Sequence, residues 1–481
     1  MTKSGEALPL APKIDVSYIS KVVIVVTFFA LFLWSWVKID MSIFGFFSDF
    51  QNVINLFGRM YPPDFAEIST VISAMVETLW IALLGTLGAV LLSYPLALLA
   101  ASNTSPNRAL RAFSRGAITL SRAVPEIILA AIFVVAFGTG PFPGVLALAL
   151  HSIGMIGRLF ADALEKADEA PREALMAVGS TKRQTIRSSL IPQALPSMIA
   201  TALFRFEINL RGSAVLGLVG AGGIGTIISE SLETIQYRPA LAAVTVLFVV
   251  ILLTELASNA IRQSLIGTAA NIGLQSQHTR LWARLKQRRD TQVLNDSLAR
   301  RSIVQPWTSE RIFRLGAMSL VTILILVAIT TVDINWFQML GNIDRVQIVL
   351  KQMVPPSFAG ERPMLISGLI ESIAISIVAT TLGVIVALPV GVLMARNLNV
   401  RKWFSTLMRI IVLAVRGIPE LIIAVIFVSA MGLGPVSGTL AMSIAVMVFG
   451  GKLFADSLEE VSAAPREALV SVGASRSQEF V

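Results

Sequence analysis

From Val71 to Ala101 the chain carries a single charged residue, Glu77. About 20 apolar residues suffice for a helix to cross the hydrocarbon of a bilayer, where every backbone N–H and C=O must be bonded within the element itself. A run this long leaves few solutions, and a membrane-spanning helix is the first of them. The pattern recurs. Candidate spans fall at roughly 20–37, 70–101, 117–138, 143–165, 195–218 and 238–266, then at 314–332, 366–395, 409–431 and 436–458. The 70–101 run exceeds what one crossing needs, which predicts a tilt or a break near Pro95. The expected fold class is an all-α polytopic membrane protein.

Composition agrees. Hydrophobic residues make up 55% of the 481 and charged residues only 14%, against about 25% charged in soluble proteins. The absence of cysteine excludes disulfides, thiolate metal sites and a cysteine nucleophile. With His151 and His278 the only histidines, no metal site is expected. A net charge of +9 could suggest nucleic acid, but the charges lie between apolar spans, so no nucleic-acid partner is expected. The first apolar run, Val22 to Val37, follows Lys3, Lys13 and Lys21 as a signal peptide would. No small-residue cleavage pattern comes after it, and the segment reads as a retained helix.

Orientation follows from the basic loops. The 102–116 loop holds Arg108, Arg111 and Arg115 without an acid, whereas the 38–69 loop holds Asp40, Asp49, Asp64 and Glu67 against Lys38 and Arg59. The former is placed in the cytoplasm and the latter outside, with the N-terminus cytoplasmic. A linker at 267–313 is again basic, from Arg280 through Arg311, and falls on the cytoplasmic side.

The chain also repeats itself. Leu159-Phe-Ala-Asp-Ala-Leu-Glu returns 294 residues later as Leu453-Phe-Ala-Asp-Ser-Leu-Glu, and 14 of the 22 positions from 159 to 180 are identical. Arg122-Ala-Val-Pro-Glu returns as Arg416-Gly-Ile-Pro-Glu, and Met60-Tyr-Pro-Pro as Met353-Val-Pro-Pro. Each unit crosses an even number of times, so the two run parallel, related by an axis along the membrane normal. The units read as 1–266 and 314–481. The second stops shortly after Gly473, without counterparts of the last two spans of the first. It is expected to be incomplete, and the natural chain to run further.

Between the fourth and fifth spans stands Glu173-Ala-Leu-Met-Ala-Val-Gly179, followed by Ile191-Pro192, with a second copy at Glu467-Ala-Leu-Val-Ser-Val-Gly473. A short helix outside the membrane, ended by a glycine able to take positive φ, can dock in a groove of another protein. The pattern resembles the coupling motif of ABC-importer permeases, with Leu175 and Leu469 in place of the family's third-position alanine. Together with Arg122-Ala-Val-Pro-Glu-Ile-Ile, Gly138-Thr-Gly-Pro-Phe and Val215-Leu-Gly-Leu-Val-Gly-Ala-Gly-Gly-Ile-Gly, it resembles the permeases of phosphonate importers. The resemblance covers about 60–266 and 353–481. It implies two fused six-helix units of the type I importer kind and a pair of ATP-binding subunits docking at Glu173, Ala174, Gly179, Pro192, Glu467, Ala468 and Gly473. It further implies an extracytoplasmic phosphonate-binding protein and residence in a bacterial inner membrane. No cofactor is expected on this chain. The chain has no G-x-x-x-x-G-K-[ST] loop, so ATP and magnesium would be held by the partner subunits.

Ionisable residues within spans are candidates for a substrate path. Arg122 and Glu126 stand one turn apart, as do Arg416 and Glu420, which suits either self-neutralised pairs or substrate contacts. In the fifth span, at 100° per residue, Arg205 and Asn209 share one face, and Glu207 and Arg211 the opposite one. Glu207 can then neutralise Arg211, leaving Arg205, supported by Asn209, as an unpaired guanidinium for a phosphonate. His151, replaced by Ala445 in the second unit, reads as a packed, hydrogen-bonded histidine or a ligand contact. Gly220-Ala-Gly-Gly-Ile-Gly225 has the letters of a dinucleotide fingerprint but lies between spans, where close helix approach explains it better. Three rival readings stay open: an ABC permease for methionine or another amino acid, an ion-driven secondary transporter, and a membrane-embedded enzyme lacking a recognisable acid–base or metal set.

Overall fold

A computed structural model describes residues 16–270 except 42, then 309–332, 343–357, 360–398 and 402–461, with isolated positions 334, 341, 471 and 473. Among the described residues every regular element is helical. The chain runs through α1 (Val16–Lys38), α2 (Ile43–Met60), α3 (Ile68–Ala100), α4 (Arg108–Ala123), α5 (Glu126–Phe137), α6 (Pro141–Glu165), α7 (Ala170–Ala177) and α8 (Lys182–Thr185). A π-helical turn, Ile186–Leu190, then leads into α9 (Ile191–Gly217), α10 (Ile224–Glu233) and α11 (Tyr237–Ala270). After the linker come α12 (Ser309–Thr331), α13 (Ile343–Met353), α14 (Arg362–Met394), α15 (Lys402–Gly417), α16 (Glu420–Met431) and α17 (Pro435–Glu460). Most of the basic linker, 271–308, lies outside the described residues.

The repeat holds to the residue. Helices α3, α4, α5 and α6 begin at 68, 108, 126 and 141, and α14 to α17 begin at 362, 402, 420 and 435, each 294 further on. Their brackets repeat as well. Asn103 donates to the Leu164 carbonyl at 2.7 Å and Asn397 to the Leu458 carbonyl at 2.6 Å. Arg115 pairs with Glu165 at 2.8 Å, and Arg409 with Glu459 at 2.7 Å.

The spans expected at 117–138 and 409–431 are each a pair of helices, bent by 83° and 80°. The cause is Pro125 and its counterpart Pro419. A residue before proline is driven out of the helical region, and Val124 is extended at φ −93°, ψ 119°. By contrast α3 continues through Pro95 to Ala100 without a break. The amphipathic helices α2 and α13 were not legible as spans because charges and amides interrupt their apolar stripes.

Packing does not follow the repeat borders. One compact unit joins 1–59 with 357–481, and the other is 60–356. In the first, Ile39 and Met41, just past α1, are buried against Ala374 and Val378 of α14. In the second, Ala328, Val332 and Ile334, in and just after α12, join a core built on Ile81 of α3, Phe133 and Phe137 of α5 and Leu148 of α6. The same unit seats α9 on α3 and α6, where Thr86, Leu148 and Ser152 are buried. The equivalent face of α17 is open among the described residues, with Met442 43% and Phe449 66% exposed.

Candidate functional site

The motif at 173–192 forms a discrete outlying element. Pro171 starts α7 at a position where a missing N–H costs nothing. Gly179 ends the helix at φ +86°, its N–H reaching the Met176 carbonyl at 3.0 Å, while the Ser180 N–H reaches Leu175 at 3.1 Å. Thr181 and Gln184 then form a reciprocal capping box that starts α8. Gln193 clamps the base by accepting from the Asp168 N–H at 3.0 Å, and Lys182 donates to the Ser105 carbonyl at 3.0 Å. Pro192 lies in the first turn of α9. No residue of α7 is buried, and Val178 is 79% exposed. Glu173 and Ala174 are therefore presented on a braced, solvent-facing helix. In the second copy Gly473 again has positive φ, +82°, while Glu467 and Ala468 lie outside the described residues.

Within the same unit a chain of polar groups crosses the helix core. Thr86 of α3 accepts from Asn209 at 2.9 Å, and Asn209 accepts from Ser152 of α6 at 3.0 Å. Ser152 in turn accepts from Arg205 Nε at 2.8 Å. Arg205 Nη1 lies 3.7 Å from the Met155 sulfur, and its Nη2 lies 3.8 Å from Glu126 Oε2. Glu126 occupies the first turn of α5, where the helix dipole favours a carboxylate. Gly212 makes room for it, since a Cβ there would meet Glu126 Oε1 at 2.9 Å. Arg205 is only 5% exposed and Asn209 is fully buried.

These contacts correct the pairing expected from helical spacing. Arg205 is not the unpaired guanidinium; Glu126, on another helix, is its acid. Glu207 pairs with Arg262 of α11 at 3.1 Å, and Arg211 pairs with Glu255 of α11 at 3.2 Å, so Glu207 does not neutralise Arg211 directly. The physical reason is that two residues of one helix can meet only along its surface, whereas α9 is enclosed by neighbours that bring acids and bases to every buried face. Arg122 and Glu126 likewise form no i,i+4 pair, because the bend at Pro125 separates α4 from α5, and Arg416 and Glu420 are divided by the same bend at Pro419. His151 Nδ1 lies 3.1 Å from the Val124 carbonyl, at that bend.

The glycine stretch serves close approach. A Cβ on Gly225 would overlap the Ala214 carbonyl of α9. The turn is tied to α3 by the Ile224 N–H, which donates to Thr78 Oγ1 at 2.7 Å. Among the described residues no group of three His, Cys, Asp or Glu side chains converges to hold a metal. Sequence reasoning missed Thr86, Ser152, Glu255 and Arg262. Glu255 and Arg262 within the apolar 238–266 run were the visible signs of partners for α9.

The family described as "Binding-protein-dependent transport system inner membrane component" matches residues 93–267 and again 387–481. This chain belongs to that family. The double match follows the repeat and takes in α7, the polar chain's α9 and the second copy of the motif. Among this permease's relatives is the phosphate-import permease of Mycolicibacterium smegmatis, 38% identical over 423 residues, 88% of this chain and 73% of the relative. A phosphite transport system permease of Stutzerimonas stutzeri is 40% identical over 212 residues, 44% of this chain and 77% of its own. A putative cryptic phosphonate transport system permease of Escherichia coli K12 is 34% identical over 121 residues, 25% of this chain and 99% of its own.

Proposed function

We propose that this chain is the membrane permease of an ATP-driven ABC importer for a phosphorus oxyanion: phosphonate, phosphite or phosphate. Two ATP-binding subunits would dock from the cytoplasm, one on α7 and one on the second copy of its motif. A binding protein on the opposite side would deliver substrate, and the two repeats, 1–266 and 314–481, would alternate access around a path between them. The basic loop at 102–116 and the linker at 267–313 favour a cytoplasmic N-terminus in a bacterial inner membrane. The observation that carries the reading is the braced, exposed α7 with its Gly179 stop, in a chain whose relatives are named for phosphate, phosphite and phosphonate transport. A helix with no buried residue cannot fold for its own core. Its exposed Met176 and Val178 suit a groove on a partner.

For the substrate path, Arg205, Asn209 and Glu126 are taken up in holding α9 to α5 and α6, and His151 in its bond at the α4–α5 bend. This leaves Arg122 as the better candidate to meet a substrate anion. Reconstitution tests the whole reading. With its ATP-binding subunits and binding protein in liposomes, the permease is expected to take up methylphosphonate only with ATP. Uptake of methionine in its place, or uptake driven by an ion gradient without the ATPase, would overturn it.

A further inference from the structure

Arg122 is left over by the pairing just described. Glu126 is engaged by Arg205, and Arg122 makes no ion pair among the described residues. Its stem lies so close to Gly154 of α6 that a Cβ there would overlap Arg122 Cγ. Arg115 of α4 and Arg158 of α6 stand on the same groove, and with Arg122 they line an open pocket of about 40 Å³ whose other polar walls are Thr119 and Asp162. Arg115 also holds Glu165 at 2.8 Å, and Arg158 holds Asp162 at 3.1 Å. Each carboxylate answers one guanidinium, and one positive charge remains.

That remainder is informative. An arginine on a membrane-spanning bundle is costly unless it faces water or an anion, and α6 is long and apolar enough to span. A guanidinium offers a planar fork that matches a phosphorus oxyanion with paired hydrogen bonds. The pattern is also duplicated: Arg409, Arg416, Lys452 and Asp456 stand 294 residues on from Arg115, Arg122, Arg158 and Asp162. Of the uncharged walls, Ala161 is kept as Ala455, while Thr119 becomes Leu413 and Ala100 becomes Met394, so the charged positions are duplicated more faithfully than the walls around them.

We infer that the α4–α6 groove binds a phosphorus oxyanion, with Arg122 as its principal ligand and Arg115 and Arg158 as supporting charges. The anion has two sources, the transported substrate or the phosphate of an anionic lipid headgroup. The substrate source rests on the importer reading above; the lipid source does not.

The test uses the full chain in nanodiscs. Binding of radiolabelled methylphosphonate is measured in phosphatidylcholine discs, and retention of phosphatidylglycerol over phosphatidylcholine by native mass spectrometry. Arg122→Gln and Arg158→Gln are compared with Arg122→Lys and with Arg183→Gln, which lies on α8 away from the groove. A substrate site predicts methylphosphonate binding weakened about tenfold or more by both glutamine variants, mostly restored by Arg122→Lys and unmoved by Arg183→Gln. Loss of phosphatidylglycerol retention with methylphosphonate binding intact assigns the same groove to lipid. If neither probe binds the wild-type chain, or neither responds to the two glutamine variants, the site is overturned. Failure of the complete transporter to take up methylphosphonate would sink the importer reading alone and leave the lipid arm standing.

Discussion

The guanidinium of Arg205 lies 3.8 Å from the carboxylate of Glu126, which belongs to a different helix and stands 79 positions earlier in the chain. Breaking one side of a buried pair leaves the other charge uncompensated, at a cost of about 3–5 kcal/mol in fully buried cases. Glu126 is partly open, so a smaller loss of about 2 kcal/mol is expected for Arg205→Gln, the charge being only partly screened. A double-mutant cycle with Glu126→Gln, read by thermal unfolding in detergent, should return a favourable coupling. Strict additivity of the two single variants would show that the pair does not hold α9.

The second charged seam, between α9 and α11, makes an independent prediction. Glu207 is 4% exposed and its direct partner is Arg262. Arg262→Met should strand that carboxylate and destabilise the helix pair, whereas Glu207→Gln with Arg262→Met should recover much of the loss, because replacing both partners removes the stranded charge. Unfolding midpoints of the single and double variants decide it. A double variant less stable than Arg262→Met would refute the pairing.

How much of this was legible in the sequence depends on distance along the chain. Helix periods, the 294-residue repeat and the Pro125 and Pro419 signals are local, and each marks a real element or bend. Proline restricts Val124 locally, so the bend within 117–138 belongs to the legible part. The Thr86–Asn209–Ser152–Arg205–Glu126 chain joins four helices, and no spacing rule within one helix could find it. The i,i+4 rule even misdirected, pairing Glu207 with Arg211 when the true partners lie on α11. The association of 1–59 with the second repeat was hidden for the same reason, since an apolar stripe on α1 names no partner.

Glycines separate close approach from mere flexibility, and a matched pair of substitutions reads the difference. Gly225→Ala would drive a methyl into the Ala214 carbonyl, backbone against backbone, with no side chain free to yield. Overpacking of this kind costs about 1–3 kcal/mol. Gly116, inside α4, has nothing within 4 Å of the new Cβ, so Gly116→Ala should stabilise by about 0.5–1 kcal/mol through helix propensity alone. Opposite shifts in unfolding temperature are expected. Equal tolerance of both changes would show that α9 and α10 do not meet as described.

The last prediction concerns α7. Gly179 ends this helix at φ +86° with open space around it, so a side chain there would clash with nothing but would strain the backbone. For a β-branched residue in the left-handed region that strain is about 1–2 kcal/mol. Because α7 buries no residue of its own, strain at its end should shift the local helix and leave the bundle intact. Gly179→Val is therefore expected to leave global unfolding within about 0.5 kcal/mol of wild type, as an outlying surface change should. In the reconstituted transporter it should nonetheless lower substrate-stimulated ATP hydrolysis and transport together. Gly179→Asn, a residue that tolerates positive φ, should retain most of both activities. Glu173→Ala supplies the complementary arm, removing an exposed acid in the first turn of α7 without altering its stop. Normal coupling in both Gly179→Val and Glu173→Ala would reduce the segment to a connecting loop, and equal loss in Gly179→Val and Gly179→Asn would remove backbone conformation as the cause.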